Sequence, residues 1–211
     1  MRPNYYTVKG YGTTDIYIKK SQFIAYVERV ETEEEAIAFI DKIKKKHHDA
    51  THNCSAYTVG PKHKIQKAND DGEPSGTAGI PILEVLLKRN LEDTVVVITR
   101  YFGGIKLGSG GLIRAYGQST TRGIDATGVV YRQKNDIIGV TIDYTWLGKV
   151  ENEVRQSTYT IKDIDYTNDV TMYIYVPLEK KESFIEWMTE LTNGQAEIAT
   201  TDTIFREIPQ K

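Results

Sequence analysis

The residue types most able to do chemistry in this sequence lie in a glycine-rich stretch that begins at Arg100 and ends at Arg114. No acidic residue occurs between Thr94 and Gly123, so the stretch is uniformly cationic. Accessible backbone N–H groups and cationic side chains both bind phosphate. We therefore predict a phosphate-binding loop that consists of Arg100, Gly103, Gly104, Lys106, Gly108, Ser109, Gly110, Gly111 and Arg114.

The loop is not a P-loop, because the lysine that this motif requires before Ser109 is absent. The run Gly108-Ser109-Gly110-Gly111 resembles the phosphate loop of small-molecule kinases related to galactokinase and homoserine kinase. The neighbouring rings of Tyr101 and Phe102 could stack on nucleic-acid bases. The alternative is that the glycines permit tight packing and that the two rings belong to the core.

A second polar group, DDGEPSGT, occupies residues 70–77. Its carboxylates could hold a hard cation such as Mg²⁺, although their spacing matches no EF-hand loop. The same residue types routinely form a turn that caps a following helix. We predict no metal or other cofactor, with Mg²⁺ as the alternative. Ligand or metal contact is assigned to Asp70, Asp71, Glu73, Ser75 and Thr77.

A third group, HHDATHNC, contains residue types that bind zinc: His48, His52 and Cys54. Their spacing is not that of a zinc finger, and no CxxC pair accompanies them. A Cys–His nucleophile would need a third orienting group. Because Cys54 starts a short apolar strand, we predict a buried structural thiol, with His52 as a ligand contact.

The elements that position these groups follow from the hydrophobic pattern. The apolar, β-branched run Val95–Ile98 predicts a strand buried on both faces, with a helix to about Thr127 after the loop. The polar residues 61–73 predict a hairpin arm or a mobile loop. A helix is expected from Ala78 to about Arg89, with Ile80, Ile82, Leu83, Leu86 and Leu87 inside.

The first third of the chain predicts strands followed by a helix. Alternating residues indicate strands at 5–8, 16–19 and 23–30, and Thr32 with Glu35 fits a capping box. In that box each side chain accepts from the backbone N–H of the other residue. Helical spacing then places one face on Ala36, Ile37, Ile40, Ile43 and His47.

A different order of predicted elements begins at Asp136, after a strand at 129–132 and a short linker at 133–136. The order strand, helix, strand, strand, helix, strand is the ferredoxin-like βαββαβ arrangement. We therefore predict two domains, residues 1–134 and 135–211. The second contains strands 137–144, 159–165, 170–176 and 196–205, with helices 147–157 and 178–193.

Composition separates the two parts by charge. Residues 1–134 hold 20 Lys and Arg against 15 Asp and Glu, whereas residues 135–211 hold 7 against 14. Cys54 is the only cysteine, so no intrachain disulfide can form, which favours a reducing compartment. There is no apolar stretch long enough for a membrane span and no signal-peptide pattern. We predict a cytoplasmic protein.

Two long stretches, DDGEPSGTAGIPIL (70–83) and VVVITRYFGGIKLGSGGLIRAY (95–116), together resemble the IMPACT family, also called YigZ-like. THNCSAY (51–57) is similar to the family too, and the resemblance covers essentially the whole chain, as in bacterial members. It implies an α+β protein. Its first domain would be like domain 2 of ribosomal protein S5, and its ferredoxin-like second domain like the C-terminal domain of elongation factor G.

The resemblance implies a role near translation or RNA, because eukaryotic relatives regulate translation. They do so with an added N-terminal domain that has no counterpart here, so their partner is not carried over. Some relatives are labelled peptidases, but we find no metal-ligand set or nucleophile triad that supports this label.

Two functions remain open. The leading prediction is a non-enzymatic protein that binds RNA or the ribosome through the glycine-rich loop, with Lys62, Lys64 and Lys67 as further contacts. The acidic second domain would then face a protein or mimic nucleic acid. The alternative is an enzyme for a phosphorylated small molecule or nucleotide, with Mg²⁺ on the carboxylates of residues 70–73 and His52 as acid–base group.

Overall fold

The structure is a computed structural model that describes residues 2–209 and divides into two compact units. The first runs to Arg132 and includes residues 208–209, and the second is Gln133–Glu207. Each unit combines an antiparallel sheet with helices, which confirms the predicted α+β class. Within residues 2–209, no helix combines the length and apolar character needed to cross a membrane.

An antiparallel sheet of five strands lies at the centre of the first unit. In chain order the first unit contains the strands β1 (Tyr5–Val8), β2 (Gly12–Ile18), β3 (Ser21–Arg29), β4 (His52–Val59), β5 (Ile65–Asn69) and β6 (Thr94–Tyr101). All except β1 form this sheet, in the order β2–β3–β6–β4–β5. The middle strand β6 is buried along its length up to Arg100, as its apolar run predicted.

Helices cover both faces of this sheet. They are α1 (Glu33–Lys46), α2 (Gly79–Lys88) and α3 (Ser109–Thr127). Val95 and Val97 of β6 pack in the cluster with α1, whereas Val96 and Ile98 pack in the cluster with α2 and α3. Because side chains alternate along a strand, Arg100 continues the face that carries α2 and α3.

Local signals set the start of α1 largely as predicted. The hydroxyl of Thr32 accepts from the backbone N–H of Glu35 at 3.2 Å. The Glu35 carboxylate accepts from the N–H of Glu31 at 2.7 Å and not from that of Thr32, so the reciprocal half of the capping box is shifted by one residue. The cap therefore satisfies one backbone donor that the helix leaves open, that of Glu35, and one donor just before the helix, that of Glu31.

Three helical residues predicted to lie inside are exposed: Ile37 by 47%, Ile80 by 47% and Leu87 by 37%. In α1 the buried positions are Ala36, Phe39 and Ile43. A helix lying on a sheet buries only one stripe, and apolar residues beside that stripe stay in solvent. The sequence pattern overestimated the width of that stripe.

The second unit has the predicted βαββαβ order. Its elements are β7 (Val129–Ile142), α4 (Tyr144–Gln156), β8 (Thr160–Tyr166), β9 (Val170–Pro177), α5 (Lys181–Leu191) and β10 (Glu197–Pro209). The sheet order is β10–β7–β9–β8, which is the ferredoxin-like order.

The predicted linker at 133–136 is wrong, because β7 is one continuous strand. Its residues 129–132 pair with β1 in the first unit, and Asn135–Ile142 pair with β9 in the second. Two residues of the supposed linker, Asn135 and Asp136, are themselves paired with β9, which holds this polar segment extended.

Candidate anion-binding site

A cavity of about 380 Å³ lies beside the glycine-rich loop, where the first residue of β4 and the end of β6 meet the start of α3. Its walls are Thr51, His52, Glu73, Pro74, Arg100, Phe102, Lys106, Leu107, Gly108, Ser109 and Leu112. The structure thus brings together six residues of the sequence-predicted site: His52, Glu73, Arg100, Lys106, Gly108 and Ser109.

A buried ion pair forms part of the cavity wall. Nη1 of Arg100 lies 2.6 Å from Oε1 of Glu73, and the two residues are only 5% and 8% exposed. Nη2 of Arg100 lies 3.4 Å from the hydroxyl of Ser21. Within residues 2–209, Nε of Arg100 is buried without a hydrogen-bond partner. A buried donor of this kind is costly unless something accepts its proton.

His52 stands directly opposite Arg100 in the pairing of β4 with β6. Its Nδ1 lies 2.8 Å from the carbonyl oxygen of Asp71. A carbonyl can only accept, so Nδ1 carries a proton. Nε2 then faces Oε2 of Glu73 at 3.7 Å and is the ring atom available to a ligand.

Tyr116 of α3 contacts both Glu73 and Cys54. Its hydroxyl donates to Oε1 of Glu73 at 2.8 Å, and Sγ of Cys54 lies 3.3 Å from the same hydroxyl. Burial, together with Cys54 and Glu73, raises the pKa of Tyr116 well above its usual range. Burial likewise raises the pKa of Cys54 to about 12. The predicted burial of the Cys54 thiol is confirmed.

The start of α3 supplies backbone donors at the edge of the cavity. Gly108 precedes the helix with φ +74°, and in the described residues no side chain caps this end. The N–H groups of the first helical turn have no acceptor within the helix and carry the positive end of its dipole. Ser109 and Lys106 lie beside them, and no acidic residue occurs in this turn.

Each aspartate of the turn at residues 70–77 accepts hydrogen bonds from neighbouring groups. The carboxylate of Asp70 accepts from the N–H groups of Gly76, Ala78 and Gly79 at 2.8–3.1 Å. Burial opposes ionisation of Asp70, but these three donors outweigh it and lower its pKa below the usual value. The helix-capping interpretation of this turn is thus confirmed.

Asp71 is also held by neighbours. One carboxylate oxygen lies 2.7 Å from Nζ of Lys44, and the other accepts from the N–H of Asn53 at 2.7 Å. Burial opposes ionisation of Asp71, but these contacts outweigh it and lower the pKa of Asp71 below its usual value. Among residues 2–209, no three His, Cys, Asp or Glu side chains group as a metal site would require. The Mg²⁺ alternative stays a prediction.

The other predicted residues lie outside this cavity. The hydroxyl of Thr77 donates to the carbonyl of Pro74 at 2.7 Å, and Ser75 is exposed. Gly103 packs against the backbone of Lys20, where an added Cβ would collide with the carbonyl group. Outside the cavity lie Gly103, Gly104, Gly110, Gly111, Arg114, Asp70, Asp71, Ser75 and Thr77.

Sequence reasoning missed the parts of the site that come from distant segments. Thr51, Pro74, Leu107 and Leu112 line the cavity, but their residue types carry no chemical signal. Arg100 and Glu73 were each predicted as site residues, but not as a pair. Their partnership depends on strand register, which the sequence pattern does not reveal.

Fold and site together define a two-domain α+β protein with a cation-lined cavity at a glycine-rich loop. The Impact N-terminal domain matches residues 19–124, and a domain of unknown function, DUF1949, matches residues 140–195. The chain belongs to the IMPACT family, as its motifs predicted.

Individual relatives agree over nearly the whole chain. IMPACT family member YvyE of Bacillus subtilis is 56% identical over 207 residues, covering 98% of this chain and 95% of that protein. IMPACT family member YigZ of Escherichia coli is 31% identical over 185 residues, with coverages of 86% and 90%. The crystal structure of a hypothetical protein aligns with a TM-score of 0.61 at 28% identity, covering 96% of this chain and 99% of that one.

Proposed function

We propose that this chain is a translation-associated regulatory protein of the cytoplasm that binds RNA, free or within the ribosome, through phosphate contacts at the cavity. The observation that carries the proposal is the meeting of Lys106, the open start of α3 and the side chain of Arg100 around one cavity. The role in translation comes from membership of the IMPACT family, whose eukaryotic members regulate translation.

The charges around the cavity favour an anion over a cation. Glu73 is already paired with Arg100 and accepts from Tyr116, so its negative charge is balanced. Lys106 has no ion pair in the part of the chain that the structure describes. The helix start adds roughly half a positive charge. A phosphate oxygen placed here would receive backbone and side-chain donors together.

Outside the cavity, the two units would have different roles, RNA binding for the first and protein binding for the second. Lys62, Lys64 and Lys67 lie on the hairpin arm formed by β4, β5 and the turn between them, and they would add contacts to the RNA backbone. The second unit, with its excess of acidic residues, would repel RNA and present a surface to a protein. No nucleic-acid contact is assigned to the second unit.

Salt-dependent RNA binding tests the proposal. The full chain is titrated into a fluorescein-labelled single-stranded RNA, and anisotropy is followed from 50 to 300 mM KCl. We expect the logarithm of affinity to fall by roughly 0.7 per phosphate contact for each decade of salt. Lys106→Gln should weaken binding and flatten that slope, whereas Lys45→Gln, on α1 across the sheet, should change neither. Absent or salt-indifferent binding would overturn the proposal.

A second candidate, an enzyme acting on a phosphorylated small molecule or nucleotide, is favoured by one observation. The cavity is within the size range of small-molecule sites, and Nε2 of His52 faces Glu73 at its wall. His52 would act as acid or base, and a Mg²⁺ ion would compete with Arg100 or Lys44 for carboxylate oxygens. A thermal-shift screen with nucleotides and Mg²⁺ tests it: no stabilisation, with RNA binding retained, excludes this candidate.

A further inference from the structure

A second cavity of about 260 Å³ adjoins the one described above. Leu107 lines both cavities and therefore forms the wall between them. Two cations line the second cavity, Lys19 from the end of the β2–β3 hairpin and Arg114 from α3, together with Gly111 and Gln118. The cationic residues thus lie on both sides of one apolar side chain.

The hairpin turn holds its lysines in an unusual conformation. Ile18 pairs with Ser21, so Lys19 and Lys20 form a two-residue turn, with φ +45° and +67°. Such turns normally contain asparagine and glycine, because other residues are disfavoured at positive φ. Non-glycine residues held in this region tend to occur at functional sites. The turn keeps lysines where the local backbone favours other residues.

The turn and the glycine-rich loop are attached to each other. The close approach of Gly103 to the carbonyl of Lys20 leaves no room for a side chain. The N–H of Gly103 also lies 3.2 Å from the hydroxyl of Ser21, which accepts its proton. The lysine pair is therefore fixed relative to the loop that carries Lys106.

The cations on this surface have no internal partners. In the part of the chain that the structure describes, Lys19, Lys20 and Arg114 make no ion pair and no side-chain hydrogen bond. The nearest acidic residue of the hairpin, Asp15, accepts from the side chain of Gln22. Unpaired cations on both sides of Leu107 suit a ligand with more than one negative charge.

We propose that the second cavity is a second phosphate subsite, so that the ligand is a single-stranded polynucleotide whose successive phosphates lie on either side of Leu107. This inference rests on the proposed function and specifies the form of its RNA. One phosphate contacts Lys106 and the start of α3, and the next contacts Lys19 and Arg114. One exposed ring, Phe102 at the first cavity, suits base stacking.

The test compares three variants of the full chain on fluorescein-labelled U10 RNA by anisotropy. Lys19→Gln with Arg114→Gln removes the second subsite, and Lys106→Gln weakens the first. Lys42→Gln with Lys45→Gln removes the same number of charges from α1, across the sheet. Because this subsite binds one phosphate, we expect the first double variant to reduce the salt slope by about 0.7 and, at 0.1 M salt, to weaken binding by about 5-fold. The α1 control should bind as the wild type does.

The outcomes separate the two proposals. If Lys106→Gln weakens binding but the Lys19 and Arg114 double variant does not, the second subsite is overturned and the proposed function stands. If neither variant affects binding, or the wild type does not bind U10, the proposed function fails and this inference with it.

A further variant guards against misfolding as an explanation. Lys19→Asn with Lys20→Gly installs the residues that the turn geometry prefers, so the melting temperature should rise. RNA binding should nevertheless weaken, because two cations are removed. A more stable protein that binds U10 as tightly as wild type would contradict the second subsite.

Discussion

Glu73 in the first unit and Asp136 in the second are buried carboxylates with the same kinds of partner. Glu73 pairs with Arg100 and accepts from the hydroxyl of Tyr116. Asp136 lies 2.7 Å from Nζ of Lys181 and accepts from the hydroxyl of Thr203 at 2.6 Å. Each carboxylate therefore has one cation and one hydroxyl as compensation for its burial.

The two groups differ in what surrounds them. Asp136 joins β7, α5 and β10 of the second unit, so its contacts stabilise packing. Glu73 and Arg100 instead line a cavity, and Nε of Arg100 has no partner among the described residues. The same pairing can be purely structural or can form a binding site. The cavity and the neighbouring glycine-rich loop make that difference.

The largest expected effect comes from breaking the pair that lines the cavity. Arg100→Met leaves Glu73 buried without its cation, and should lower the free energy of unfolding of the first unit by about 3–5 kcal/mol. Lys181→Met should cost the second unit only about 1 kcal/mol, because Lys181 is 36% exposed. Urea unfolding followed by two signals measures both changes.

The two signals resolve the units because both tryptophans, Trp146 and Trp187, lie in the second unit. The urea midpoint followed by Trp fluorescence should fall for Lys181→Met. In Arg100→Met, far-UV circular dichroism should show that the first unit unfolds at a lower urea concentration. The double variant Glu73→Gln with Arg100→Met should recover most of the stability. Equal costs for the two single variants would contradict the contrast between the pairs.

An intermediate effect is expected at Asp70, which should resemble Asp136 in being structural. Asp70→Asn should lower the free energy of unfolding by about 2 kcal/mol at neutral pH, because the charged cap of α2 is lost. The pKa of Asp70 is lowered in the folded state, so its stabilisation is present above about pH 4, the unfolded value.

That stabilisation should disappear as the pH falls through the lowered pKa of the folded state. Wild type and Asp70→Asn should therefore differ at pH 7 and converge in acid, as measured by circular dichroism melting curves from pH 2.5 to 7. A difference that grows with acidity would mean that another group dominates.

The smallest expected effect concerns the reactivity of Cys54, which tests how closed the network beneath the cavity is. With a pKa of about 12, caused mainly by burial, the thiol is protonated at pH 8. A thiol reagent should label native protein negligibly and unfolded protein completely, as read by mass spectrometry. Rapid labelling of native protein would show that the network opens to solvent.

Sequence reasoning succeeded where a feature depends on residues close together along the chain. The buried strand β6, the cap at Thr32 and the βαββαβ order of the second unit follow from local patterns and were predicted. The motifs of residues 70–83 and 95–116 also identified the family.

Features that join distant segments were predicted poorly. The continuous strand β7 was read as a linker, because its polar middle residues resemble a loop until their pairing partners are known. The turn lysines Lys19 and Lys20 were not assigned to the site, since nothing in the sequence links them to Gly103.

The sequence by itself determined the two-domain α+β fold, the cationic character of the glycine-rich loop and the position of Cys54 in a buried strand. Periodicity and residue type suffice for these features, because they reflect interactions over a few residues. Only the tertiary structure decided that Arg100 is paired with Glu73 and that Leu107 separates two cation-lined cavities. These arrangements depend on strand register and loop packing, which bring together residues far apart in the chain.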